Sequence, residues 1–295
     1  MTTAPMLQPE VNLHSYALGR TAQGKARNWA TSLFLLLFHA GALAALFCFS
    51  WKNLTIAIVL YGLAINAGVG AGYHRLLTHR SFRCPLWLER ALTLCGALAL
   101  QGGPLFWVGT HREHHRRADR EGDPHTPVEG LWWAHAGWIS HGGGQGGEMA
   151  LLRRLAPDLA RDRFHCWLSR WHWLPLAVSG VALFAFGGWG GLLWGVFLRV
   201  TLGWHATWLV NSATHRWGGR RFATSDHSRN NWWVALLTGG EGWHNNHHAH
   251  PVSARHGLRW YEFDPNYYGI WLLEKLHLAW NVRRVRLEGS GPKTA

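Results

Sequence analysis

Thiols are scarce in this sequence: the 295 residues include four cysteines, Cys48, Cys84, Cys95 and Cys166, with no C-x-x-C pair among them. That scatter excludes a disulfide framework and a thiolate metal site, and it fits a reducing compartment. Acidic residues are also few, 16 against 29 Lys and Arg, for a formal charge of +13. So basic a chain invites a nucleic-acid reading, but no nucleic-acid fold signature accompanies the charge. The glycine run from Gly142 to Gly147 has no Lys or Ser/Thr at the spacing of a phosphate cradle and reads as a flexible loop. A cleaved signal peptide is not expected, because the first apolar run is long and a second follows it directly. What the chain has instead is 21 Trp, 21 His and 48% hydrophobic residues. Interfacial aromatics with basic flanks are the composition of a membrane protein.

Two uncharged runs, 31–51 and 54–73, are each long enough to cross about 30 Å of hydrocarbon at roughly 1.5 Å per residue. They form a first hairpin, and the second run carries small residues, Gly62, Ala64, Ala67, Gly68 and Gly70, that let helices approach closely. The apolar stretch from His172 to His215 is too long for one crossing and is broken by glycines from Gly187 to Gly191, which predicts a second hairpin with spans 172–187 and 191–213. Leu86 to Leu105 is interrupted by Glu89 and Arg90 and reads as a buried or interfacial helix. The hairpin turns hold only Lys52, whereas the other loops are rich in Arg. The positive-inside rule then places both termini, the segment 1–28 and a cap of 74–170 and 214–295 in the cytoplasm, around a single domain in a bacterial inner membrane.

The histidines cluster on that same side. "HRLLTH" holds His74 and His79, "HREHH" holds His111, His114 and His115, "HNNHH" holds His244, His247 and His248, and His215 stands alone at the end of the fourth span. Spacing of i, i+3 and i+4 puts three side chains on one helix face, so each HxxHH box aims three imidazoles at one point. Glu113 falls about 200° round the helix from His111 and faces away. His74 and His79 are about 140° apart on an ideal α-helix, so they converge only if the chain bends, as where a helix end passes into a loop. Asn211 shares a face with His215, and its amide could hold a water on the same metal. Nine imidazoles exceed what one ion takes, so two metals are implied, with iron, copper, zinc and nickel all open on ligand type. Asp119, Asp123, Asp226 and Glu241 are candidates to orient ligand imidazoles, and the sequence does not select among them. His125 and the intramembrane His205 also stand out, whereas Arg199 is explained by snorkelling or a protein partner.

"HRLLTH", "HREHHRRADREGDPH" followed by "HAGW", "ATWLVNSATH" and "GEGWHNNHHAHP" occur in an order that resembles the membrane fatty acid desaturases, specifically their stearoyl-CoA-type Δ9 branch, from about Gly72 to Val285. The resemblance implies an all-α membrane enzyme with four transmembrane helices in two hairpins and a cytoplasmic helical cap. It also implies a di-iron centre on His74, His79, His111, His114, His115, His215, His244, His247 and His248, with Asn211 acting through water. The reaction implied is O2-dependent insertion of a cis double bond, Δ9 in that branch, into a saturated acyl chain. Thr207 and Trp208 would lie at the bend of the substrate tunnel, with Trp107 close to substrate.

Two departures bear on the acyl carrier. Gly109 and Thr110 stand where animal members have Arg-Asp, and "ISHGGGQGGE" stands where they carry basic residues, so acyl-CoA, acyl-lipid and acyl-carrier-protein substrates all stay open. Asn246 replaces a Tyr of the animal enzymes at a position off the ligand face. The chain ends soon after these motifs, so electrons are expected from a separate ferredoxin or cytochrome b5 with its reductase, landing on a basic face that includes Arg116, Arg117 and Arg120. A di-iron hydroxylase or acetylenase is the rival within this chemistry. A non-catalytic membrane metal-binding protein is the rival outside it, but a transporter would place its ligands at the bilayer midplane, not past helix ends on one side.

Overall fold

The computed structural model describes residues 26–141 and 149–285. Most of the segment 1–28, the glycine run at 142–147 and the last ten residues lie outside them. Among the described residues the chain is helical, with isolated β-bridges and no strand.

Helix α1 spans Trp29–Ala45 and starts where the Asn28 side chain accepts the Thr31 N–H at 3.0 Å. After a short turn Ser50 caps α2, Trp51–Tyr61, by accepting the Asn53 N–H at 3.1 Å. The helix then continues without a break from Gly62 to Thr78, wound with hydrogen bonds that span five residues. Together Trp51–Thr78 makes 28 residues, more than the roughly 20 a bilayer core requires, so its last turns and both ends of "HRLLTH" extend beyond the apolar stretch.

Among the described residues three helices are long and apolar enough to cross a membrane, and the third is Leu174–His215, 42 residues in all. It contains α7, Leu174–Leu192, and α8, Arg199–Ser212, joined through Leu193–Leu198. Its backbone breaks at Gly188, with φ 58° and ψ −157°, inside the glycine run from which the sequence predicts a turn. The two limbs fold back on each other: a Cβ on Gly191 would stand 2.7 Å from the Leu183 carbonyl, and one on Gly195 2.7 Å from the Leu183 side chain. Arg199 is buried there and donates to the Gly195 and Leu98 carbonyls, so it has a protein-side partner.

Helix α3, Leu86–Ala97, lies along the Gly62–Thr78 segment at backbone contact. A Cβ on Gly68 would fall 2.3 Å from the Gly96 nitrogen, and Tyr73 fills the space over Gly96. The other face of α3 exposes Leu86 and Trp87, the pattern expected of an interfacial helix. Helix α4, Pro104–Arg117, begins with Pro at its first position after Gly103. The short helices α5, Met149–Leu155, and α6, Arg163–Arg170, brace it. The remaining helices are α9, Trp232–Thr238, α10, His244–Ala249, and α11, Pro265–Lys275. The site lies where the end of the Gly62–Thr78 segment, α4, the end of α8 and α10 meet.

Candidate metal centre

Two groups of imidazoles face inward, each with ligand nitrogens within 4.8 Å of one another: His74, His79, His111, His115 and His247 in one, and His114, His215, His244 and His248 in the other. All nine histidines singled out in the sequence are in these two groups. Winding, not bending, brings His74 and His79 together. The His79 N–H donates to the His74 carbonyl at 3.1 Å, so residues five apart sit one turn apart and their rings lie 4.8 Å from each other. This corrects the expectation that the two converge only through a bend at a helix end, because the helix runs through His74 to Thr78 and ends only at His79.

The Nε2 atoms point at one another. His74 and His247 meet at 3.1 Å, His247 and His115 at 2.9 Å, His111 and His115 at 3.1 Å, His215 and His244 at 3.0 Å, and His114 and His248 at 3.4 Å. Imidazole nitrogens about 2.0–2.1 Å from a common ion stand roughly 3 Å apart when adjacent, so these spacings fit coordination. His79 supports the same reading, because its buried Nε2 has no hydrogen-bond partner. Five nitrogens around one position and four around the other, with no thiolate, make a donor set for two borderline transition-metal ions.

Carboxylates hold the rings from behind. Glu241 takes His74 Nδ1 at 2.7 Å, Asp123 takes His114 Nδ1 at 3.0 Å, Asp119 takes His215 Nδ1 at 2.9 Å and Asp226 takes His248 Nδ1 at 2.8 Å. All four candidate acids therefore serve, each on one histidine of the two groups, and each bond aims an Nε2 inward. Burial alone raises Asp123 and Asp226, but their histidine partners outweigh it and hold both well below the usual carboxylate range. Burial, then the neighbouring imidazoles, pushes His111, His115, His244 and His247 well below the ordinary histidine value, so their lone pairs are free at neutral pH. Burial lowers His248 to about 4 despite its Asp226 partner.

A cavity of about 50 Å³ reaches His111 and is lined by Gln101, Trp107, Thr207, Trp208 and Asn211. The three residues assigned by resemblance to a tunnel thus line one space, and Trp107 stacks on His111 with centroids 5.1 Å apart. Gln101 links them: its amide donates to Thr207 Oγ1 at 2.9 Å and its carbonyl accepts the Trp107 indole N–H at 3.3 Å.

A sequence profile described as fatty acid desaturase matches residues 49–282. The chain belongs to the fatty acid desaturase family. It is 47% identical over 255 residues, 86% of its length and 90% of the other's, to a sn-2 palmitoyl-lipid 9-desaturase of Nostoc sp. (strain 36). It is 46% identical over 258 residues, 87% and 94% of the two chains, to a sn-1 stearoyl-lipid 9-desaturase of Anabaena variabilis. An acyl-CoA C20 Delta5-desaturase of Anemone leveillei is 42% identical over 267 residues, 87% and 84% of the two chains. The protein is accordingly a membrane enzyme that desaturates fatty acyl chains with O2.

Sequence reasoning missed three residues of this desaturase. Arg75 is fully buried and donates to Glu241 Oε1 at 3.0 and 3.2 Å and to the Ala254 carbonyl at 2.7 Å, which fixes the carboxylate that holds His74. His256 sits 3.1 Å from Glu241 Oε2 and stacks near His247. Gln101 is the third. Arg75 lies inside "HRLLTH", and a charge at the end of an apolar helix was the available signal; His256 and Gln101 carried none. His125 lies against His114 with rings 4.4 Å apart, and burial and His114 push it down to about 3. His205 is partnered by His39 and His135, each at 3.0 Å. Glu113 stays outside both groups and pairs with Arg116 and Arg117. Asn246 is likewise off the ligand set, donating to the His256 carbonyl and Glu262.

Proposed function

We propose that this desaturase places a cis double bond at the Δ9 position of a saturated acyl chain esterified in a membrane lipid, using two irons held by the nine histidines. The inward convergence of nine imidazoles in groups of five and four carries the reading. The two cyanobacterial relatives, named as acyl-lipid 9-desaturases, support the position and the carrier, as does the loss of the basic residues expected around a CoA headgroup at Gly109 and Thr110.

When bound and reduced, the iron pair supplies with O2 the oxidising power to take two hydrogens from adjacent, unactivated methylenes. The chain's own residues do the rest. His111 presents its ring at the end of the cavity, stacked on Trp107, so the site for the acyl chain adjoins the first group of ligands. The bonds from Gln101 to Thr207 and Trp107 fix the wall that positions the chain and excludes water. At about 50 Å³ the cavity holds a water or two, so the lining side chains must shift to admit an acyl chain. Asn211 lines the same cavity and is assigned to hold a water toward the iron that His215 binds.

For topology we take the break at Gly188 as the turn of a second hairpin, giving four spans at 31–51, 54–73, 172–187 and 191–213. The basic loops put the cap, 74–170 and 214–295, and both termini in the cytoplasm of a bacterial cell, around one domain.

The test is the fatty acid profile of a bacterial host lacking aerobic desaturases, grown in air with the wild-type chain or its His247→Ala variant and read by gas chromatography with mass spectrometry. A new cis-Δ9 monoene in the glycerolipids, absent from the variant, is expected. A hydroxylated chain, or a monoene that persists in the variant, contradicts the proposal.

A further inference from the structure

A pocket of about 370 Å³ lies between α1, α8 and segment 132–140. Helices α1 and α8 belong to two of the membrane-length helices, and the rim residues Trp29, Leu33 and Leu36 of α1 are 62–65% exposed, so on this side the pocket opens toward the bilayer. Its floor is barred. His39 on α1 meets His205 on α8 at 3.0 Å, His205 meets His135 at 3.0 Å, and His135 meets Ser212 Oγ at 3.0 Å, a hydrogen-bonded line that ties the three walls together. His205 and His135 also set their rings edge-on to Trp208, with centroids 5.2 and 5.6 Å away. Trp208 is common to this pocket and to the small cavity that reaches His111. Segment 132–140 is common to both as well, with Trp132, Ala136 and Ser140 on the pocket side and Trp138 and Ile139 on the cavity side.

We infer that this pocket is the lateral entry of the substrate, where a membrane glycerolipid leaves the bilayer and lays its acyl chain against Trp208 on the way to the metal centre. The inference rests on the acyl-lipid reading proposed above. A chain that passes straight from hydrocarbon into protein never exposes its methylenes to water, a cost that grows with every CH2. The mouth has the chemistry for the polar end of such a lipid. Arg27 is exposed, lies over the Trp29 ring at 5.1 Å and pairs with no carboxylate among the described residues. Basic and aromatic side chains at a helix end meet lipid phosphates and esters in this way. Below them the shaft is apolar, with Leu33, Leu35 and Leu36 along α1. From Trp29 to His39 the pocket runs ten residues down α1, about 15 Å at roughly 1.5 Å per residue. The reacting carbons lie in mid-chain, so a lipid whose ester stays at the mouth brings them to the depth of the floor, where the histidine line stops the chain going deeper and Trp208 is the shared wall.

The test uses the iron-loaded protein in nanodiscs with a trace of phosphatidylglycerol carrying a photoactivatable diazirine in mid-chain, and reads the labelled residues by peptide mass spectrometry. Adducts on 32–39 of α1, on 132–140 and on Trp208 are expected. Narrowing the pocket with Leu36→Trp at the rim or Ala136→Phe in the wall should lower that yield, with iron content equal to the parent's. Leu36 is exposed, so its variant keeps the test decisive where Ala136→Phe loses iron. Arg27→Gln should lower labelling by phosphatidylglycerol about fivefold and leave labelling by a diazirine diacylglycerol unchanged. Adducts confined to other lipid-facing surfaces, or yields that the three variants leave at the parent's level, overturn the inference. Labelling reads the lipid and not the product: a protein labelled in the pocket that forms no monoene contradicts the desaturation proposal alone, and one that forms lipid-borne monoene without labelling there contradicts the entry site alone.

Discussion

At the scale of the residue, the site depends on imidazoles aimed by carboxylates. Each HxxHH box was legible because i, i+3, i+4 spacing has one geometric meaning on a helix. The pairing of acid to histidine was not, because Asp119 reaches His215 and Glu241 reaches His74 across 96 and 167 residues of sequence. Removing one such acid, Asp226→Asn, should lower metal affinity about 10- to 100-fold, read by competition with a chelator, while the protein stays folded and membrane-inserted. Acid should act through the histidines themselves. His248 takes a proton only near pH 4 in the folded chain against an ordinary value of 6.5, so the unfolded chain gains protons first as pH falls. Stability of the metal-free protein is therefore full above about pH 6.5 and is lost as pH falls toward 4, and metal retention should decline in the same direction. Thermal unfolding in detergent at pH 7.5 and 5 checks the sign; greater stability at pH 5 would be inconsistent with buried neutral ligands.

At the scale of the element, the five-residue hydrogen bonds from Gly62 to Thr78 do what an α-helix cannot, placing His74 and His79 on one side. Nothing in "HRLLTH" spelled out that winding, because local propensity does not distinguish it from α; it runs where α3 fits closely over Gly68, Gly72 and Tyr73. The small residues that make this fit possible were visible as a helix-approach signal. Gly68→Val should destabilise the protein by about 1–3 kcal/mol, because its side chain would press into the backbone of Cys95 and Gly96. Gly62→Ala is the control: nothing lies within 4 Å of a Cβ there, and a thermal shift near zero is expected. The second break, at Gly188, was legible for a simpler reason, since only glycine takes φ 58° and ψ −157° without strain.

At the scale of the whole molecule, apolar helices carry a cap in which ligands from widely separated segments meet. The helical class with membrane-length helices and the grouping of the nine histidines were readable in the sequence because bilayer length and box spacing are strong, repeated signals. The cleft that opens onto His79, His115 and His248 was not, because it is a property of surfaces that come together only on folding. The proposed centre holds two ions on nine histidines. Its most direct test is transition-metal content per folded chain, measured by plasma mass spectrometry on protein purified from aerobically grown cells, with the His247→Ala and His244→Ala variants alongside. Two ions per chain in the parent, with loss in each variant, is the predicted result; a single ion per chain, or two ions that survive both substitutions, would contradict it.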